Sequence, residues 1–253
     1  MNAQNGRLVA RFRAARRDPA LVVIEGFHAL KHALRFGAEI LEAVTADPET
    51  AIDLARRLAR DVAPSLASLL WPVPAALFAE LAPRPPETGV LALARRPDVD
   101  GMRHLRAGVG PLVLLDRPAH ARNLGAAVRV AAAAGADALL TLGPLDPWHP
   151  TAVRAGAGLQ FALPVARIAE LGEVGRPIVA LDPEGDLLEP ARIADDAILA
   201  FGSERQGLSP GLLARADRRV RLPMRPGVSS LNLATAVAAV LYLQRLRQGE
   251  KGR

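Results

Sequence analysis

The sequence predicts an α/β protein of two units, and three observations carry that expectation. Short apolar stretches alternate with helix-length stretches along the 253 residues. The apolar stretches show no strict polar alternation, which is the pattern of strands in a parallel sheet covered on both faces. A polar, irregular stretch at 96–108, RPDVDGMRHLRAG, interrupts the alternation. The division is a first unit over 1–97, a linker over 98–109 and a second unit over 110–253.

The first unit begins with a basic arm that Asp18-Pro19 stops. ALVVIEGF (20–27) is a short buried strand, and HALKHALRFG (28–37) a helix closed by Gly37. ILEAVTA (40–46) is a second strand and 49–60 a helix. The stretch 65–83 combines a strand or short apolar piece with a helix begun near Pro74, and TGVLALARR (88–96) is another strand. In the second unit, PLVLLD (111–116) is a strand and 123–137 a helix ending at Gly135. ALLTLG (138–143), PIVALD (177–182), AILAFGSE (197–204) and RRVRLPM (218–224) are strands. PTAVRAGAG (150–158) and SPGLLARAD (209–217) are helices, the latter with Ser209 as N-cap and Pro210 at its first position. Residues 229–248 form the last helix, with Ser229 or Ser230 as its cap.

Composition removes several classes of chemistry. The chain has no cysteine, so disulfides, thiol nucleophiles and Cys-based zinc sites are excluded. Arg7, Arg11, Arg13, Arg16 and Arg17 interrupt the first residues, so no signal peptide is expected, and no apolar run reaches membrane-spanning length without Pro or Gly. The expectation is a cytoplasmic protein with no membrane partner. The net charge is +6: residues 1–17 carry five arginines and no acid, residues 18–100 sum to −4 and residues 101–253 to +5. A basic arm and a basic second unit suit an anionic polymer. Thirty arginines against two lysines also fit a plain compositional bias.

Several motif-like features carry no function. GAGLQF (156–161) lacks the third glycine of a dinucleotide fingerprint and follows a helix. There is no P-loop. His28 and His32 have metal-ligand spacing, but no carboxylate completes the set, so they read as a helix face and no metal is expected. His149 beside Trp148 reads as loop packing, and Ser203 lies outside any G-x-S-x-G pattern.

Three stretches carry chemistry. In LLDRPAHARNLGAAVRVAAAAGAD (114–137), Asn123 stands where it can cap a helix, and Arg129 sits among small apolar residues. Such an arginine is either a snorkelling surface residue or one that is paired or faces a cleft, where its guanidinium suits a phosphate. In AILAFGSERQGLS (197–209), Gly202 and Gly207 follow a buried strand and let backbone amides approach a ligand, beside Glu204. In RLPMRPGVSSLNLA (221–234), Ser229 or Ser230 explains the cap, while Asn232 aims an amide at whatever lies at the helix mouth.

Together and in this order, the three stretches resemble the SpoU (TrmH-like) RNA ribose 2′-O-methyltransferases of the SPOUT superfamily. NLGAAVRVA (123–131), FGSERQGLS (201–209) and LPMRPGVSSLNLA (222–234) resemble the family's three motifs, and the match spans about 111–246. LVVIEGFHALKHAL and TGVLALARR are similar to the small L30e-like substrate-binding domain of many relatives. The resemblance implies a SPOUT domain with a parallel sheet and a deep trefoil knot, preceded by an L30e-like RNA-binding domain. It implies S-adenosylmethionine as cofactor, held by Gly202, Leu222, Leu231 and Met224, with Leu142 and Gly143 near it. Asn123, Arg129, Glu204, Ser230 and Asn232 match the catalytic positions, and the resemblance implies Arg129 as the group that either deprotonates the hydroxyl or positions a phosphate; because a guanidinium is a poor base, holding an RNA phosphate and helping to polarise the hydroxyl is the preferred role. A homodimer formed through the C-terminal region, and RNA as substrate, rRNA ahead of tRNA, follow from the same resemblance. Where relatives carry Ser after the arginine of P-x-x-V-R-x-S-x-G, this chain has Gly156, so a loop contact near Arg154 differs. Two rival readings are a non-catalytic RNA-binding module on a degenerate SPOUT body and a nucleotide-dependent oxidoreductase.

Overall fold

A computed structural model of the chain describes residues 3–251. They fall into two compact units: up to Asp98 together with Trp148–Ala162, and Val99–Pro147 together with Leu163 onward.

In the first unit, the basic arm is helix α1 (Ala3–Ala15). Val9, Phe12 and Ala15, three residues apart, bury one stripe, while Arg7, Arg11 and Arg13 stay exposed. Then follow β1 (Leu21–Glu25), α2 (Phe27–Arg35), β2 (Ile40–Thr45), α3 (Pro48–Leu58), α4 (Ala63–Leu69), β3 (Leu70–Pro72), α5 (Ala75–Leu81) and β4 (Val90–Arg95). Asp47 caps α3, accepting from the Thr50 amide at 3.0 Å. The sheet has the order β1-β4-β2-β3; β4 is antiparallel to both its neighbours, and β3 is a parallel edge strand. Val90 to Ala94 are all buried, consistent with a central strand covered on both faces.

The second unit opens with α6 (Gly101–Arg106). This corrects the expectation of an irregular linker over 98–109. Leu105 is fully buried, Asp100 caps the helix, and a Cβ at Gly101 would lie 2.8 Å from Ile168 Cγ2, so the segment is part of the core. Its polar residues face outward and masked this in the sequence. The unit continues with β5 (Leu112–Asp116), α7 (Ala121–Ala134) and β6 (Ala138–Leu142). Helix α8 (Pro150–Ala155) comes next in the chain but belongs to the first unit, so the span 110–253 is not one uninterrupted unit. In the first unit a Cβ at Gly158 would lie 2.3 Å from the Ala29 carbonyl oxygen, which shows how closely the segment packs on α2. Strands β7 (Val165–Arg167), β8 (Ile178–Leu187) and β9 (Ile198–Phe201) follow, then α9 (Pro210–Leu213), β10 (Arg218–Arg221) and α10 (Leu233–Lys251).

The second sheet has six strands, all parallel, in the order β10-β8-β9-β5-β6-β7. β5 and β9 are its centre; Leu112 to Leu115 and Ile198 to Ala200 are fully buried. From β5 the chain moves outward to β6 and β7, then returns on the other side through β8 to β9. The order therefore reverses between β5 and β9, where loops leaving the carboxyl ends diverge and open a crevice. α7 ends at Gly135 in the left-handed region (φ 75), and α10 packs against α7. α10 begins at Leu233 rather than 229, leaving 222–232 as an irregular segment after β10. No helix among the described residues is long and apolar enough to cross a membrane.

Candidate functional site

The site lies at the carboxyl end of β5 and β9. β5 finishes in Asp116, whose side chain is almost fully buried. Its Oδ2 accepts from the Ser209 amide at 2.6 Å, and Arg117 Nε lies 3.2 Å from Oδ1. Arg117 itself has φ 53, a backbone conformation that a side chain disfavours. It is seated against Gly143, where a Cβ would lie 3.1 Å from Arg117 Cα. Asp116 thus ties the end of the first motif's strand to the end of the second motif's loop. Sequence reasoning passed over both residues; an acid closing an otherwise apolar strand was the available signal.

Three of the five expected catalytic residues meet in a hydrogen-bonded chain. Asn123 is the third residue of α7, and His120 occupies the N-cap position, so Asn123 does not cap the helix as expected. Its Nδ2 instead donates to Glu204 Oε1 at 2.6 Å. Glu204 Oε2 accepts from the Ala119 amide at 2.9 Å. Asn232 Nδ2 donates to Asn123 Oδ1 at 3.1 Å, and Asn232 Oδ1 accepts from the Ala234 amide at 3.0 Å. Asn232 is therefore the residue that caps α10, not Ser229 or Ser230, because the helix starts at Leu233, four residues later than its polar mouth suggested. Partial burial pushes the Glu204 carboxyl up. The hydrogen bonds from Asn123 and Ala119 outweigh that effect and hold it below its ordinary value, so it is a stable carboxylate.

A cavity of about 240 Å³ opens beside this chain, walled by Leu181, Phe201, Gly202, Leu222, Met224 and Leu231. Glu204, Ser230 and the guanidinium-bearing Arg205 and Arg221 also border it. The expected cofactor residues Gly202, Leu222, Met224 and Leu231 thus share one wall system, as do Glu204 and Ser230. Gly202 is required by packing: Ser203 and Gly207 exchange backbone hydrogen bonds of 3.0 Å, and a Cβ on Gly202 would lie 2.1 Å from the Gly207 carbonyl carbon. Leu142 and Gly143, at the end of β6, do not line the cavity; the Leu142 carbonyl accepts from the Arg117 amide instead.

Arg129 is not brought into the cluster. It projects from the exposed side of α7, in line with exposed Arg122 one heptad earlier, and does not line the cavity. Of the two readings of Arg129, the structure has the surface one, because Val128 and Ala131 point inward while Arg129 points away. Among the described residues no acid or carbonyl pairs with it. His32 Nδ1 lies 2.7 Å from the Ala157 carbonyl oxygen, and no group of three or more His, Asp or Glu among the described residues is placed to hold a metal ion.

Comparison with known proteins places this geometry. Residues 110–242, just over half of the chain, match the SpoU rRNA Methylase family. An uncharacterised tRNA/rRNA methyltransferase of Mycobacterium bovis is 36% identical over 174 residues, covering 64% of this chain and 60% of that protein. A 23S rRNA (uridine(2479)-2′-O)-methyltransferase of Streptomyces viridochromogenes is 36% identical over 155 residues, covering 56% of this chain and 54% of that protein. The chain thus matches somewhat over half the length of these curated relatives. Among solved structures, the SpoU methyltransferase AviRb of Streptomyces viridochromogenes, in complex with the cofactor AdoMet, superposes with a TM-score of 0.76 at 26% identity, over 100% of both chains.

Proposed function

The chain belongs to the SpoU rRNA methylase family, and from that premise we propose that it transfers a methyl group from S-adenosylmethionine to a ribose 2′-hydroxyl of a structured RNA, rRNA ahead of tRNA. The observation that carries this reading is the Asn123–Glu204–Asn232 chain at the rim of an apolar cavity, because it joins all three motif stretches at one point. The activity for which the Streptomyces viridochromogenes relative is named supports the ribose hydroxyl and rRNA, and the AdoMet complex of AviRb supports the donor.

The residues fit the donor. Leu181, Phe201, Leu222 and Leu231 offer apolar walls to a purine, the absent Cβ of Gly202 keeps the strand end compact, and Glu204 puts a fixed negative charge beside the cavity. When bound, S-adenosylmethionine supplies an electrophilic methyl group on a cationic sulfur. The protein's own part is alignment, since a ribose hydroxyl is a weak nucleophile that gains most from being held in line. Asn123 and Asn232 are locked in orientation by each other, by Glu204 and by the Ala234 amide, which preorganises the polar rim. Ser230 borders the same cavity. Arg129 is a permanent cation with no protein partner among the described residues, which suits an RNA phosphate.

The same reading assigns a deep trefoil knot to the second unit and an L30e-like fold to the first. It also assigns a homodimer formed through the C-terminal region, supported by Leu231, Tyr242, Leu243 and Leu246, all at least 40% exposed. The test is methyl transfer from labelled S-adenosylmethionine to total rRNA and tRNA, with calorimetry for the donor. Label in a ribose 2′-O-methyl group supports the proposal; RNA binding without any label would replace it with the non-catalytic module.

A further inference from the structure

The first unit carries a second polar groove, formed by one face of α1 and the edge strand β3. Trp71, in the middle of β3, is 70% exposed. The other tryptophan, Trp148, is buried against Phe161 at a ring separation of 5.0 Å, so the chain does shelter an indole where packing is the purpose. Arg7 and Arg11, one helical turn apart on α1, line the same groove as Trp71, and Gln4 and Asn5 add amide donors. Glu42 is the groove's acid. Arg11 Nη1 lies 3.1 Å from its Oε2, which offsets that charge and leaves exposed Arg7 with no ion-pair partner among the described residues.

We infer that this groove binds single-stranded RNA, one unpaired base stacking on the Trp71 indole and the adjoining phosphate held by Arg7. The chemistry is that of sequence-tolerant single-strand sites, in which a flat aromatic surface meets a cationic groove. Charge singles out this occupant. The rest of the first unit, residues 18–98 with 148–162, is net acidic and sums to −2, whereas 1–17 hold five arginines and no acid, and two of these, Arg7 and Arg11, line the groove beside the exposed indole. A partner protein adding a strand is disfavoured here: β3 has three residues and ends in Pro72, with Pro74 just beyond, which removes amide donors along its free edge. The inference rests on the RNA-directed reading above and deepens it by naming where an unpaired part of the substrate is gripped.

The experiment uses the full chain and its own fluorescence, since Trp71 is exposed and Trp148 is buried. Titration with a ten-nucleotide oligoadenylate is expected to quench emission in the wild type and to leave the Trp148 signal of Trp71→Ala unchanged. By fluorescence anisotropy of a labelled oligomer, Trp71→Ala weakens binding about tenfold, the loss of one stacked base, and Trp71→Phe restores most of it. Arg7→Ala lowers the slope of log affinity against log salt by about 0.7, one single-strand phosphate contact. Unchanged affinity in Trp71→Ala, no quenching, or equal binding of a duplex of the same length overturns the inference, the last because a paired base cannot leave its stack. Quenching without methyl transfer sinks only the proposed reaction; methyl transfer without quenching sinks only this site.

Discussion

Glu204 sits between two opposed influences, burial that raises its pKa and two hydrogen bonds that together lower it further. Because its folded value lies below its ordinary 4.5, the clamp it makes with Asn123 and Ala119 contributes stability fully above about 4.5 and loses it as pH falls through the folded value. Glu204→Gln is expected to lower the melting temperature at pH 7, with the gap to wild type narrowing on acidification below 4.5. A gap that is constant with pH would contradict this. Arg129 presents the opposite case, an exposed side chain with little structural work to do. Arg129→Ala is expected to shift stability by less than about 0.5 kcal/mol while reducing methyl transfer on the order of 100-fold, as loss of a positioned charge does. Calorimetry should find donor affinity unchanged; a loss of donor affinity would overturn the role given to Arg129.

At the scale of elements, the turn after β9 and the start of α10 carry the site. Gly202→Ala forces a Cβ to within 2.1 Å of the Gly207 carbonyl carbon, and the Ser203–Gly207 pairing must open to admit it. Overpacking of this kind costs about 1–3 kcal/mol, and donor affinity should fall with it because the cavity wall moves. Thermal melts and calorimetry on the one variant check both. Asn232→Ala removes the cap of α10 and the tether to Asn123 together, an expected loss of about 0.5–2 kcal/mol from the cap alone. Asn232→Asp retains the cap oxygen but not the donor to Asn123, so it should recover the stability and not the activity.

For the whole molecule, Tyr242, Leu243 and Leu246 are exposed on the last helix. If this surface closes a homodimer, Leu246→Glu should shift sedimentation toward the monomer while circular dichroism stays unchanged; a wild-type chain that sediments as a monomer would remove the dimer from the proposal. The second sheet was visible in outline, since apolar stretches at 111–116, 138–143 and 197–204 became β5, β6 and β9 with only small shifts of their ends; in the first sheet the strands were visible but the antiparallel pairing of β4 with β1 and β2 was not. β7 was not visible: three residues at a sheet edge carry no period to read. The 96–108 stretch was misread because a one-sided, six-residue helix shows more polar than apolar residues.

The sequence by itself determined the alternation of elements, the absence of thiol chemistry, and the three motif stretches that mark the family. These depend on residue type and local spacing, which a linear reading retains. Only the tertiary structure decided that Asn232 and not a serine caps α10, that Asn123 reaches 81 residues along the chain to Glu204, and that Arg129 stands outside the cavity. It also returned α8 to the first unit and set an exposed indole beside the arginines of α1. Each of these turns on which way a side chain points once helices and strands pack, and that direction follows from contacts between residues far apart in the chain.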